Sequence, residues 1–273
     1  VIKLTPIEAH SGIHYKRDDL AEIDLGVPVV DRVGGSKVRQ YLEMVGKAPK
    51  DAVLIVGCSS NSAQQIYIAD AARRTGREGI IILPGRKKKT SATLWAAGQP
   101  GVRLIDVRPG YRSVVIAKMR EEAKRIGNVV RWDRLGAVKD TASQITNSRT
   151  FPDVKRIIVP VGSGLVAAGV LAGLADRGLK IPVHGFAVSQ LADKDEIIKA
   201  ALTTGALEMS LPLFVFDKLE ADYDDPEFSR LPDGTILDPF YAGKVHKFVR
   251  PGDLFWITGC RPLAAMPKIP DGI

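Results

Sequence analysis

Lys37 stands in GGSKVRQYLEMV (residues 34–45), behind two glycines and a serine and at the start of a stretch whose apolar spacing predicts a helix. A helix N-terminus carries partial positive charge and disfavours a cation. With Arg39 two residues on, the amine is expected to titrate below an ordinary lysine. A neutral amine is a nucleophile that forms a Schiff base with an aldehyde. A solvated surface lysine is the ordinary alternative, so the case depends on what else the chain supplies.

Two other stretches supply it. GSGLVAAG (162–169) directly follows the apolar run RIIVPV. Strand, Gly-rich turn and helix together present backbone N–H groups to a phosphate. Gly162, Gly164 and Ala167 also fit the dinucleotide pattern G-x-G-x-x-A. That pattern needs an acid at the end of the next strand. Here PVHGFAV ends in Ser189-Gln190, with no acid before Asp193. A single phosphate monoester is the better ligand, with a tight structural turn as the alternative. CSSNSAQQ (58–65) again runs from strand to helix. One of Ser59, Ser60 and Asn61 is expected to cap that helix. Three in a row leave hydroxyls, an amide and N–H groups for a substrate carboxylate. An amine, an Asn-bearing helix start and a phosphate loop are what an aldehyde cofactor with a phosphate handle requires. Pyridoxal 5'-phosphate (PLP) is that cofactor.

TPIEAH, YKRDDL, GGSKVRQYLEMV, CSSNSAQQ, VGSGLVAAG, LDPFYAGK and ITGC follow one another in this order. Together they resemble the 1-aminocyclopropane-1-carboxylate (ACC) deaminase and D-cysteine desulfhydrase family, PLP enzymes of the tryptophan synthase β-like fold. The islands touch most of the chain, and GG-x-K-x-R with S-N and DP-x-Y-x-GK are the specific ones. The resemblance implies that Lys37 holds PLP as a Schiff base and then acts as base or acid at the substrate carbon. It implies that Asn61 bonds the ring oxygen, while Ser60, beside Ser59, takes the substrate carboxylate or acts on a departing group. Gly162, Ser163, Gly164, Leu165 and Val166 would hold the phosphate through backbone N–H groups. Tyr241 matches the active-site tyrosine, Thr258 would lie near the pyridine nitrogen, and Tyr223 in ADYDD is offered as a second tyrosine at the substrate. Lys16-Arg17-Asp18-Asp19 match a signature of the family and are expected to be structural. The resemblance also implies a homodimer.

Three departures bear on the reaction. ACC deaminases carry an acid after the tyrosine, where this chain has Ala242. A hydroxyl at Thr258 would leave the ring nitrogen neutral, which favours β-elimination or β-replacement over ring opening. Cys260 replaces the second glycine of TGG, at the expected pocket floor. The 190–235 stretch looks abbreviated and irregular.

The elements that must position these groups read as α/β. Strand-like runs (52–57, 79–83, 102–107, 129–132) alternate with helical patterns (62–74, 91–97, 114–126), the pattern of parallel βαβ units. A second block holds strands at 156–161 and 182–188, the small-residue helix 166–175, and apolar runs at 245–249 and 254–258. The expected architecture is PLP fold type II: two open-sheet α/β domains with the cofactor in the cleft between them. Residues 45–135 form the smaller domain, and 1–44 with 136–273 the larger, PLP-binding one.

The bulk numbers narrow the function. No run is as long and apolar as a membrane span, and the start, VIKLTPIEAH, lacks both Met and a signal-like apolar region. Cys58 and Cys260 are too few and too far apart for a disulfide framework or zinc site, and the four histidines have no metal-ligand spacing. No metal is expected, and the expected compartment is the cytoplasm. Ser163 lacks the G-x-S-x-G setting of a hydrolase nucleophile. The net charge of +8, with Arg86-Lys87-Lys88-Lys89 as its densest run, suits anionic ligands.

The reading is a PLP-dependent lyase acting on a small amino acid by β-elimination or deamination, D-cysteine desulfhydrase-like or ACC deaminase-like. Two alternatives stand beside it. One is a PLP enzyme that modifies nucleic acid or an amino acid attached to a base; the other is a degenerate PLP-binding paralogue without lyase activity.

Overall fold

The computed structural model describes residues 4–21, 33–110, 112–131, 133–189 and 192–270. β1 (Ile7–His10) and β2 (Ile13–Arg17) form a hairpin, and β3 (Gly34–Gly35) leads into α1 (Ser36–Lys47). Regular βα units follow: β4 (Val53–Gly57), α2 (Gln64–Thr75), β5 (Gly79–Pro84), α3 (Ser91–Ala97), β6 (Val102–Val107), α4 (Arg112–Ile126) and β7 (Val129–Val130). Next come α5 (Arg134–Thr146), β8 (Arg156–Val161), α6 (Leu165–Asp176), β9 (Val183–Ala187), α7 (Lys194–Leu202) and β10 (Phe214–Lys218). After an irregular stretch the chain ends in α8 (Ala242–His246), β11 (Asp253–Ile257) and β12 (Gly259–Cys260).

Two open sheets result. The smaller has strand order β6-β5-β4-β7 and is parallel throughout. The larger has order β1-β2-β11-β8-β9-β10, parallel except for the β1–β2 hairpin. Strands covered on both faces must be apolar on both faces, which is why GIIIL and RIIVPV read as unbroken runs. Ile81 packs with Ile66 and Ile68 of α2, while Ile80 and Ile82 join Val115 and Ala123 of α4 on the opposite face. In the larger sheet Ile157 and Val159 face α5 and α6, whereas Ile158 faces Val245 and Phe255.

The 190–235 stretch, expected to be irregular, holds α7 and the edge strand β10. KDEIIKAAL buries little more than Ile197 and Ala201, and β10 has only Phe214 buried, so neither writes a long apolar pattern. Val245 lies in α8. The strand expected at 129–132 covers Val129 and Val130, and Trp132 lies outside the described residues. Among the described residues no helix is long and apolar enough to cross a membrane.

A short ladder explains the two glycines before Lys37. β3 pairs with β12, Gly35 opposite Gly259 and Gly34 opposite Cys260. A Cβ at Gly34 would lie 1.9 Å from the Asp19 carbonyl oxygen, and one at Gly35 2.7 Å from that of Thr258. Only glycine lets the backbone pass here, and the crossing fixes where α1 begins.

Candidate active site

β4 and β8 end on the same gap, the crevice at strand carboxyl ends where open α/β sheets bind ligands. Lys37, the second residue of α1, reaches into it. The cavity there is about 820 Å³ and is lined by Lys37, Ser59, Gly162–Leu165, Tyr223 and Tyr241 among others. A smaller inner recess shares Lys37, the glycine loop and Tyr241, and adds Val166, Asp238 and Thr258. The structure therefore brings the amine, the loop, both tyrosines and Thr258 to one place.

Burial pushes the Lys37 amine down to about 8, helped by the Arg112 and Arg261 guanidiniums and opposed by Cys58 and Asp238. Arg39, the neighbour expected to do this, is turned the other way. It is held bidentately by Asp140, with Nε–Oδ1 at 2.9 Å and Nη2–Oδ2 at 2.7 Å, and Nη1 lies 3.6 Å from Asp18. On a helix, residues two apart point to different faces.

The loop fits a phosphate. Gly164 sits at φ 81 as the residue preceding α6, and no side chain caps that helix. The leading N–H groups of a helix have no partner within it, and residues 162–167 line the two recesses. A Cβ at Gly162 would fall 2.5 Å from Tyr241 Cε1, and one at Gly164 2.4 Å from Ile197 Cγ1. The tyrosine ring thus lies directly on the loop. Tyr241 Oη and Tyr223 Oη are hydrogen-bonded at 2.8 Å, and burial raises both phenol pKa values. The Lys244 ammonium, fully buried, donates to the carbonyls of Asp222 and Tyr223 and so fixes the second tyrosine's backbone.

Ser60 and Asn61 are placed differently from the expectation. Both are buried, and neither lines the cavity, which Cys58, Ser59 and Ser62 of this turn do. Asn61 donates its amide to Asp224 Oδ1 at 2.8 Å, and Gln65 and Thr90 donate to the Ser60 carbonyl. Nor does any of the three cap α2, which begins later, at Gln64, with no side-chain cap. Ser62 N instead donates to the Ser59 carbonyl, closing a turn in front of the helix. Cys260 lines neither recess; its thiol points to the Asp19 carbonyl at 3.6 Å. Ala242 is completely buried in the apolar cluster with Ile158, Val245 and Phe255. Its methyl group packs the core behind Tyr241.

Lys16–Asp19 are all buried. Asp18 accepts from Trp256 Nε1 at 2.9 Å and Thr5 Oγ1 at 2.6 Å, while Arg17 pairs with Asp19, Glu8 and Asp233. They brace the strand ends behind β3. In the basic run, Arg86 pairs with Asp224 at 2.7 Å and Lys89 with Asp106, so half of its charge is locally balanced.

Sequence reasoning missed Asp238 and Arg261. Arg261 Nε donates to Asp238 Oδ2 at 2.6 Å and Nη2 to the Asn61 carbonyl at 2.8 Å, with the guanidinium 4.8 Å over the Phe240 ring. This buried pair ties the CSSNS turn to the tyrosine segment. Asp238 lies inside LDPFYAGK, so its motif was visible, but its partner stands 23 residues away. Arg112 and Arg134 also line the cavity, and no motif contains them.

No family model matches the chain. In sequence it is similar to the glycyl-dTMP PLP-dependent decarboxylase of Pseudomonas phage M6, 24% identical over 75% of this chain and 79% of the relative. It is also similar to the nocardicin C-9' epimerase of Nocardia uniformis subsp. tsuyamanensis, 28% identical over 83% of this chain and 82% of the relative. A crystal structure of an ACC deaminase homologue matches with a TM-score of 0.68 at 21% identity, over 94% of this chain and 89% of that one. The two-sheet fold with its intervening cleft is that of PLP enzymes of fold type II, the fold expected from the sequence islands.

Proposed function

We propose that this chain is a PLP-dependent lyase acting on a small amino acid, of deaminase or desulfhydrase type. The observation that carries the reading is one cavity holding a lysine of lowered pKa, an uncapped helix N-terminus behind a glycine loop, and a tyrosine lying on that loop. The phage relative, named as a PLP-dependent decarboxylase, and the ACC deaminase homologue support it.

When bound, PLP supplies an aldehyde and an electron-withdrawing ring that stabilises negative charge at the substrate α-carbon. The residues of this chain do the rest. The N–H groups at the start of α6 hold a phosphate dianion, favoured by the helix dipole. Lys37 Nζ, with a pKa of about 8, is poised to take and return a proton near neutral pH. The turn at Ser59–Ser62 receives the substrate carboxylate. Tyr241 Oη, oriented by Tyr223, hands a proton to the departing group. At the inner end, Thr258 offers a neutral hydroxyl, while the Asp238 carboxylate is already held by Arg261 and the Phe240 N–H. This polarity supports elimination over ring opening.

The assembly proposed is a homodimer in the cytoplasm, with residues 45–135 as a smaller domain facing the rest. Exposed Leu207, Met209, Leu213 and Val215 beside and on the edge strand β10 support a self-association face.

A second reading is favoured by the phage relative, whose name describes an amino acid attached to a nucleotide. In it the substrate amino acid is likewise carried on a base.

The test is direct. Adding PLP to the purified protein is expected to give a visible absorbance band that Lys37→Ala loses, and serine, D-cysteine or ACC to release ammonia and a keto acid. A band that persists in Lys37→Ala overturns the assignment of the lysine, and absence of any band overturns the cofactor.

A further inference from the structure

The cavity has two arginines, Arg112 and Arg134, for which the proposed chemistry names no anionic ligand. Arg112 opens α4, whose first turn sits on the carboxyl end of β4. A Cβ at Gly57 would meet Val115 Cγ1 at 3.1 Å and the Val115 carbonyl at 3.2 Å. That close approach, which Gly57 permits, puts Arg112 beside the Cys58–Ser59 turn. Its charge reaches inward, lowering the pKa of both the Lys37 amine and the Cys58 thiol. Arg134, the first residue of α5, lines the same cavity. Both side chains are exposed at the rim, and neither makes an ion pair among the described residues.

Several other arginines are already neutralised. Arg17, Arg39, Arg74, Arg86, Arg156 and Arg261 each have a carboxylate within 3.0 Å. Acids do line the cavity. Asp193 is spent capping α7, accepting from Asp195 N and Glu196 N, while Glu196 takes Lys199. The remaining two, Glu220 and Asp222, belong to the tyrosine-bearing segment.

The cofactor phosphate has the glycine loop and the substrate carboxylate has the Ser59–Ser62 turn, so a third anion is what this rim fits. We propose that Arg112 and Arg134 bind a phosphate monoester carried on the substrate's side-chain substituent, which makes the substrate class a phosphate-bearing amino acid. The inference rests on the PLP reading for the position of the amino group. Guanidinium is the cation suited to phosphate, through paired N–H donors. A cavity of about 820 Å³ has room for a substituent beyond a small amino acid. A nucleotide bearing an amino acid on its base and a simple phosphoamino acid share this chemistry.

The experiment titrates the PLP-loaded protein with O-phosphoserine and with serine, each as both enantiomers, following the cofactor's visible absorbance. Calorimetry then compares dTMP with thymidine on the protein without added PLP. Wild type is expected to bind O-phosphoserine about tenfold or more tightly than serine, the size of one charge-assisted contact. Arg134→Gln should remove most of that preference while leaving serine affinity and the unfolding midpoint unchanged. Arg112→Gln should remove most of the ratio between the two affinities at fixed pH, with serine affinity itself shifting along with the Lys37 amine. Binding of dTMP but not thymidine, lost in both variants, assigns the phosphate to a nucleotide. O-phosphoserine preference without dTMP binding assigns it to a small phosphoamino acid. Equal affinity for O-phosphoserine and serine with no dTMP binding overturns the proposal, as does a preference that survives both substitutions. Failure of the cofactor reading is seen separately, as no visible band, and the dTMP arm still reports on the rim.

Discussion

The Tyr223 and Tyr241 hydroxyls are hydrogen-bonded at 2.8 Å, with the rings edge to face at 79°. Tyr241 also lies against the loop glycine at 162. The outer tyrosine therefore sets the direction in which the inner hydroxyl presents its proton. Tyr241→Phe is expected to lower turnover by about 10²-fold or more, the usual scale for a positioned proton donor. Tyr223→Phe should cost less, because Tyr241 keeps its proton and loses only its orientation. Cofactor absorbance should be retained in both. Equal losses from both substitutions would show that the pair acts as one unit.

Lys37 gives a pH prediction with a definite sign. Its folded pKa, about 8, lies below the ordinary value of 10.5, so the amine is protonated and unreactive below about 8. The rate at which apoprotein takes up PLP should rise with pH and level off above about 8, well short of 10.5. Arg112→Gln removes one of the cations that depress it, so the midpoint should move up. Stopped-flow absorbance across the range measures both. A midpoint unmoved or lowered in the variant would show that Arg112 does not act on this amine.

What the chain wrote legibly was what local physics encodes. Parallel strands covered on both faces appear as apolar runs, and the loop at 162–166 announces itself because Gly164 must take a positive φ next to Ile197. Lys37 was legible from the glycines that let β3 cross β12. Pairings made across the fold were not. Arg261 meets the Asn61 carbonyl across 200 residues, and nothing near either position marks the other. The same gap misassigned the cation near Lys37: Arg39 is adjacent in sequence but belongs to Asp140, while Arg112 is distant in sequence and close in space. Asn61 looked like a ligand because its type suits one, yet Asp224 holds its amide.

The glycine loop makes a claim about backbone, testable without turnover. Gly164 has φ 81, and a Cβ there would stand 2.4 Å from Ile197 Cγ1. Gly164→Ala combines left-handed strain of roughly 1–2 kcal/mol with that clash. It should lower the unfolding midpoint and weaken PLP affinity together. Gly164→Ala with Ile197→Ala relieves the clash but not the strain, so it should recover only part of the affinity. Full recovery would mean that the conformation of the loop is unimportant for holding phosphate.

Asp18 tests whether the buried charges behind the site are structural. It accepts from Trp256 Nε1 and Thr5 Oγ1 and lies 3.6 Å from Arg39 Nη1 and 4.0 Å from Lys16 Nζ. Removing one member of a buried charge network strands the others and costs about 3–5 kcal/mol. Asp18→Ala should therefore lower stability by that order in chemical denaturation. Asp18→Asn keeps an acceptor for the indole or the threonine and should cost less. The fraction that remains folded is expected to bind PLP at Lys37 with unchanged affinity, since Asp18 lines neither recess. If Asp18→Ala instead keeps wild-type stability and loses cofactor, the KRDD cluster belongs to the chemistry and not to the frame that holds it.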